Sequence, residues 1–185
     1  MLSPSSKRRS LAAACKRGIA VCNVPDYGTE EVADHAIALA LDHCRQLFYP
    51  DTEAKSLGWT IRVGERLRRL STLTFGLVGL GRIGTGAALR AKALGFGVLF
   101  YEPYPANGVD KVVGAARLRT LEELLVRSEV LSLHCPLQPR PATPNPTATC
   151  HAAFCSVEAK AGMRRTSARL AFAAVRGAAL ENVVH

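Results

Sequence analysis

Between Thr74 and Gly84 the chain reads Thr-Phe-Gly-Leu-Val-Gly-Leu-Gly-Arg-Ile-Gly, an apolar strand running straight into a G-x-G-x-x-G turn. An acidic residue, Glu102, closes the next apolar run, at the distance of roughly 20 residues where a dinucleotide-binding βαβ unit places its acid. The order strand, glycine turn, helix, strand, acid narrows the choice of folds more than any other feature of this sequence. Gly79 lets the chain turn sharply off the strand, Gly81 clears the side chain from where a pyrophosphate approaches the backbone, and Gly84 allows the helix to pack closely on the sheet. The helix N-terminus then offers unpaired N–H groups and a positive dipole end to phosphates. A carboxylate at Glu102 accepts hydrogen bonds from ribose hydroxyls and repels a 2′-phosphate, which favours NAD over NADP. The plain alternative is a glycine-rich strand-to-helix turn that binds nothing.

The rest of the chain follows the same alternation. Ile19 to Val24 is a short β-rich run closed by Pro25, read as a buried strand. Thr29, Glu30 and Glu31 suit a helix start, and Val32, Ala33, Ala36, Ile37, Ala40, Leu41, Cys44 and Phe48 recur at helical spacing, so a helix of about 17 to 20 residues is expected. Gly97 to Tyr101 and Val130 to Cys135 are further strands, and Thr120-Leu-Glu-Glu123 is a capping box between them. The pattern β-α-β-α-β predicts an α/β fold with a partial, parallel Rossmann-type sheet, an NAD(P)-binding domain. Five prolines between Pro136 and Pro146 interrupt it, and Ser156 to Val175 reads as a final helix with a basic middle. The expected organisation is a disordered start over residues 1–11, then a strand, long helix and connector over 12–70. The βαβαβ unit spans 71–137, a proline-rich link 138–148, and a C-terminal remnant 149–185.

With 185 residues, the chain has room for one domain with a substantial core. Its net charge of +9 is scattered in small clusters, Lys7-Arg8-Arg9, Arg66 to Arg69 and Arg164-Arg165, so nucleic acid is not expected as a partner. No apolar run approaches the ~20 residues of a membrane span, and no membrane association is expected. Six cysteines without a C-x-x-C pair read as free thiols of a reducing compartment, and Cys150-His151 with Cys155 lacks metal-site spacing, so no metal is expected. The first 25 residues are basic, serine-bearing and free of acid before Asp26, like a transit peptide, yet from Ala12 they read as domain sequence. A cytoplasmic or nuclear location is expected.

An ordered series of segments resembles the D-isomer-specific 2-hydroxyacid dehydrogenases, and within them the branch of the C-terminal binding protein co-repressors. The segments are Gly18-Ile-Ala-Val-Cys-Asn-Val-Pro25, Glu31-Val-Ala-Asp-His-Ala36, Gly79 to Gly84, Ala91-Lys-Ala-Leu-Gly-Phe96, Val98 to Tyr104, Asn107-Gly-Val-Asp-Lys111 and Ser132-Leu-His-Cys-Pro-Leu137. Together they cover most of residues 12–137. The resemblance implies NAD as cofactor, with Arg82 and Ile83 beside the pyrophosphate and Glu102 on the ribose. It implies His134, Cys135 and Pro136 beside the adenine and Val32 near the nicotinamide end. Glu102 stands where the family usually carries Asp, one methylene shorter. A small 2-hydroxy or 2-oxo acid is the implied substrate, and a homodimer or other protein partners are implied through the Thr29 to Phe48 helix, which the family uses near its interfaces.

The family transfers hydride with an Arg in an N-x-x-R-G turn that clamps the substrate carboxylate, a Glu that orients a His, and that His as acid/base. Thr149 to Ser156, with Glu158 and the ending Leu180 to His185, resembles the family's catalytic-His turn and C-terminal segment, which makes His151 the implied acid/base. Without the resemblance His151 reads equally as a surface or packing histidine. The Arg and Glu partners are not found between Leu137 and Thr149, and Arg169 follows His151 with no glycine after it, so it does not fit the Arg motif. The expectation is an internally deleted, N-terminally shortened relative. Three readings stay open: an oxidoreductase of CH-OH donors by descent with impaired turnover, a non-catalytic NAD-responsive protein-binding module, and a fragment that folds poorly because its sheet exposes an edge.

Overall fold

The computed structural model describes residues 11–47, 67–103, 108–135 and 153–184. The chain divides into two compact units, Thr29–Pro136 and Met1–Gly28 together with Leu137–His185.

The first of these holds a four-stranded parallel sheet. Its elements run α1 (Thr29–Arg45), β1 (Thr74–Val78), α2 (Arg82–Ala93), β2 (Gly97–Tyr101), α3 (Val109–Val113), β3 (Ala116–Arg117), α4 (Leu121–Arg127) and β4 (Val130–Leu133), with a single 3-10 turn at Leu70–Thr72 ahead of β1. Strand order is β3-β2-β1-β4, so the chain builds outward through β2 and β3 and then crosses back to the other side of β1. That reversal creates a switch point between the carboxyl ends of β1 and β4, where ligands of open α/β sheets bind.

Side-chain alternation explains why the sheet is covered on both faces. Phe75 and Leu77 of β1 and Phe100 of β2 join one buried cluster with Ala33, Ile37, Ala40 and Cys44 of α1 and Ala87, Ala88 and Ala91 of α2. The intervening Val78 and Leu99 join a second cluster with Leu118 and Leu124, the latter from α4. Small residues on the inner faces of α1 and α2 bring these helices close: a Cβ on Gly86 would lie 3.2 Å from the Ala33 methyl, and Arg90 is paired with Asp34 across the same seam. The buried positions of α1 recur at helical spacing, as expected, and burial pushes the Cys44 thiol pKa up.

The expected three-strand alternation is correct for β1, β2 and β4 and incomplete between β2 and β4, where α3 and the two-residue β3 add a turn of helix and a fourth strand. Glu129 ties the starts of β1 and β4. Its carboxylate accepts from Thr74 N–H at 2.7 Å, its own N–H donates to the Thr74 carbonyl at 3.1 Å, and the Thr74 N–H holds the carboxyl below its usual range. β4 is the last strand on its side among the described residues, with Leu133 64% exposed.

At α4 the N-cap half of the expected capping box forms, with Thr120 Oγ1 accepting from Glu123 N–H at 3.1 Å, while the Glu123 carboxylate accepts from Arg119 N–H at 3.4 Å, one residue before the N-cap. Thr120→Ala should cost about 1 kcal/mol of stability, read as a lower urea midpoint at unchanged slope, whereas Thr120→Ser should cost much less.

The second unit contains α5 (Val157–Val175), which starts at Ser156, whose Oγ accepts from Ala159 N–H at 2.8 Å. Its early and late segments are joined by an antiparallel bridge between Cys22 and Val183, by Asn23 N–H on the Asn182 carbonyl at 3.1 Å, and by an edge-to-face pair of Tyr27 and Phe154 at 5.8 Å between ring centroids. The strand expected at Ile19 to Val24 is therefore a correction. Only Cys22 makes a bridge, and Ile19 is exposed, because a single partner residue cannot sustain a ladder. Among the described residues no helix is long and apolar enough to cross a membrane, and no group of three or more His, Cys, Asp or Glu is placed to hold a metal ion.

Candidate dinucleotide site

The glycine turn lies at the carboxyl end of β1 and opens α2, at the switch point of the sheet. Gly79 has φ +95°, a left-handed conformation that L side chains rarely adopt, and its N–H donates to the Tyr101 carbonyl at 2.9 Å. It also passes close under β4, since a Cβ there would lie 2.8 Å from the His134 carbonyl oxygen. Gly84, in the first turn of α2, sits against the Gly79 carbonyl, and a Cβ on it would overlap that oxygen. Gly81 differs from both. It is the N-cap of α2, has extended φ and ψ and makes no side-chain cap, and a Cβ on it would meet nothing within 4 Å. Two glycines are therefore demanded by the fold, and the third borders open space at a helix N-terminus.

Glu102 follows β2 and turns its carboxylate back onto this turn, where Oε2 accepts from Leu80 N–H at 3.0 Å. Thr85 Oγ1 donates to the Leu80 carbonyl at 3.2 Å, which ties the same residue to α2. The acid and the phosphate-side turn are thus one connected piece of backbone and side chain. Its donors and open space fit a dinucleotide: N–H groups at the start of α2 for the pyrophosphate and a carboxylate beside them for a ribose.

The other expected residues divide. Arg82 is exposed as the first residue of α2. Ile83, expected beside the pyrophosphate, is half-buried and packs against the main apolar cluster. His134 and Cys135 follow β4 beside Gly79; Cys135 is exposed, and His134 Nε2 lies 2.9 Å from Ser132 Oγ. Val32 is partly buried on α1 next to Ala33, the residue that packs on α2. Pro136 and His151 lie outside the described residues.

Burial holds the His134 pKa below the usual histidine value of about 6.5. A base whose folded pKa is depressed destabilises the fold when protonated, so its contribution is fully present above that ordinary value and is lost as pH falls through it to the folded value. Stability should therefore decline below about pH 6.5, and His134→Gln should flatten the decline in urea melts taken across the range.

Nothing in the sequence singles out Arg117. Its Nη2 donates to the Glu102 main-chain oxygen at 2.9 Å, from a strand of only two residues that carries no alternation to reveal it.

Comparison with known proteins agrees with this geometry. Residues 37–143 match the family described as D-isomer specific 2-hydroxyacid dehydrogenase, NAD binding domain. The chain is 39% identical over 136 residues to C-terminal-binding protein 1 of Caenorhabditis elegans, covering 68% of this chain and 18% of that protein. It is 35% identical over 131 residues to a hydroxypyruvate reductase of Blautia hydrogenotrophica, covering 68% of this chain and 40% of the relative. Among solved structures, D-lactate dehydrogenase of Aquifex aeolicus complexed with NAD and lactic acid superposes with a TM-score of 0.63 at 34% identity, covering 69% of this chain and 38% of that one. The chain thus spans less than half the length of each of these three proteins. A parallel sheet with a glycine turn at its switch point, an acid folded onto that turn and a match over 37–143 lead to one assignment: the chain belongs to the D-isomer specific 2-hydroxyacid dehydrogenase family, through its NAD binding domain.

Proposed function

We propose that this chain binds NAD at the glycine turn and acts as a nucleotide-responsive module with little or no dehydrogenase turnover of its own. The observation that carries the binding part is the Glu102 carboxylate seated on Leu80 N–H beside open Gly81, because it puts a ribose acceptor and a phosphate cradle on one rigid element. In this reading Gly79, Gly81, Arg82 and Gly84 border the pyrophosphate through their backbone, with Ile83 contributing its N–H. Glu102 takes the adenosine ribose, His134, Cys135 and Pro136 flank the adenine, and Val32 faces the nicotinamide end. When bound, NAD supplies a hydride acceptor. The chain's own residues hold it, orient it and exclude the 2′-phosphate form.

The catalytic part rests on the sequence, which offers His151 without the N-x-x-R-G arginine or the orienting glutamate of the family. A histidine can accept the proton of a 2-hydroxy acid, but without a clamp for the substrate carboxylate it has nothing to hold the acid in line. The similarity to C-terminal-binding protein 1 supports the alternative of a protein-binding role, with α1 as the surface used by a second copy or another protein. Cytoplasm and nucleus are both compatible with that role.

Thermal melting with and without NAD tests the binding part. A ligand that binds only the folded state stabilises by RT ln(1 + [L]/Kd), about 2.7 kcal/mol at a hundredfold excess over Kd, so the melting temperature should rise by several degrees with NAD and far less with NADP. No rise with NAD at millimolar concentration would overturn the reading.

A further inference from the structure

Arg117 stands opposite Phe100 in the β2–β3 register, two residues before the acid at the ribose end of the site. Its guanidinium reaches forward to the Glu102 carbonyl, 2.9 Å from Nη2, and the pair is exposed. The same residue, Glu102, seats its carboxylate on Leu80 N–H at 3.0 Å. One residue is therefore bracketed by a negative group facing the glycine turn and a positive group at its own backbone. A carbonyl occupies only part of the donor capacity of a guanidinium, whose planar fork matches phosphate oxygens two at a time.

We propose that Arg117 is a specificity-determining residue that receives the 2′-phosphate of a phosphorylated dinucleotide, so that the choice between NAD and NADP is set by the opposition of Glu102 and Arg117 and not by Glu102 alone. The inference rests on Glu102 being the ribose acid. With the carboxylate in place, a 2′-phosphate meets its repulsion before it reaches the guanidinium. With the carboxylate neutralised, the guanidinium is a cation that the fold itself positions at that edge, because β3 is held to β2 through Leu118 N–H on the Phe100 carbonyl at 2.8 Å. A purely structural Arg117, one that only pins β3 to the end of β2, makes a different prediction: its loss would weaken both nucleotides alike.

The test titrates NADH and NADPH, followed by nucleotide fluorescence, into the unsubstituted chain, Glu102→Gln, and Glu102→Gln combined with Arg117→Met or Arg117→Lys. Glutamine keeps an acceptor for Leu80 N–H while removing the charge. Glu102→Gln should shift the ratio of NADPH to NADH affinity toward NADPH by about tenfold, the size of one additional charge-assisted hydrogen bond. Arg117→Met should return most of that shift, and Arg117→Lys should retain part of it. A shift that persists with Arg117→Met, or a parallel loss of both nucleotides in a variant that still melts like the parent, overturns the inference and leaves the cofactor site standing. Failure of the unsubstituted chain to bind NADH overturns the cofactor reading and this inference with it.

Discussion

Gly84→Ala is expected to disrupt the nucleotide-binding unit, while Gly81→Val should leave the fold intact and abolish NADH binding. The two residues belong to the same motif but face different constraints. A Cβ on Gly84 overlaps the Gly79 carbonyl oxygen, a backbone atom held in turn by the Gly79 N–H on Tyr101 and by the close passage of β4. Nothing flexible is available to give way, so α2 must move off the strand end, and overpacking of this kind costs about 1 to 3 kcal/mol or more. For a domain of ordinary marginal stability that is a large fraction of the total. Gly81 has open space around its missing side chain and φ of −71°, which valine tolerates, so its substitution fills only the open space that the proposed site assigns to the pyrophosphate. Urea melts and NADH titrations on the two variants should separate cleanly: low stability for Gly84→Ala, parental stability with no binding for Gly81→Val. Comparable stability losses in both, or undiminished NADH binding by Gly81→Val, would remove the division of labour assigned to the motif.

The parts of this site that are legible in the sequence are those whose physics is local. Glycine spacing after an apolar strand identifies the turn because only a residue without Cβ tolerates the left-handed Gly79 or the close approach at Gly84. The capping box at Thr120 announces α4, and the helical recurrence of Ala33, Ile37, Ala40 and Cys44 announces α1, each through interactions within a few residues. What the sequence conceals depends on partners far along the chain. β3 is too short to show a period and exists because β2 offers it an edge. Ile83 reads as a ligand-side residue from its place in the motif, and the packing of its half-buried side chain against the main apolar cluster is not visible from that place. The run Ile19 to Val24 has strand composition but finds only one bridge partner, at Val183. Glu102 is recognisable as an acid at the right spacing, whereas its bond to Leu80 N–H and the Arg117 guanidinium on its carbonyl are visible only in three dimensions.

The purified 185-residue chain is expected to show no measurable oxidation of NADH with glyoxylate, pyruvate or hydroxypyruvate, even under conditions in which it binds NADH. Binding and turnover are expected to separate because they draw on different residues. In the proposed site the pyrophosphate and ribose contacts, a turn, a helix N-terminus and an acid, all lie within residues 79–102. Hydride transfer further requires the substrate carbon to sit in line with the nicotinamide, and the family's means of doing this, an arginine on the carboxylate and a glutamate behind the histidine, has no match in this sequence. Orientation of a reactant against a catalytic group commonly accounts for several kcal/mol of the barrier, and a His acting without it should be slower by about a hundredfold at the least. Stopped-time assays at high enzyme concentration, with NADH absorbance as readout and NADH fluorescence confirming occupancy, measure both properties on one sample. Turnover that His151→Ala eliminates would mean that other residues of this chain position the substrate and orient that histidine, and the reading of a binding module without catalysis would have to be given up.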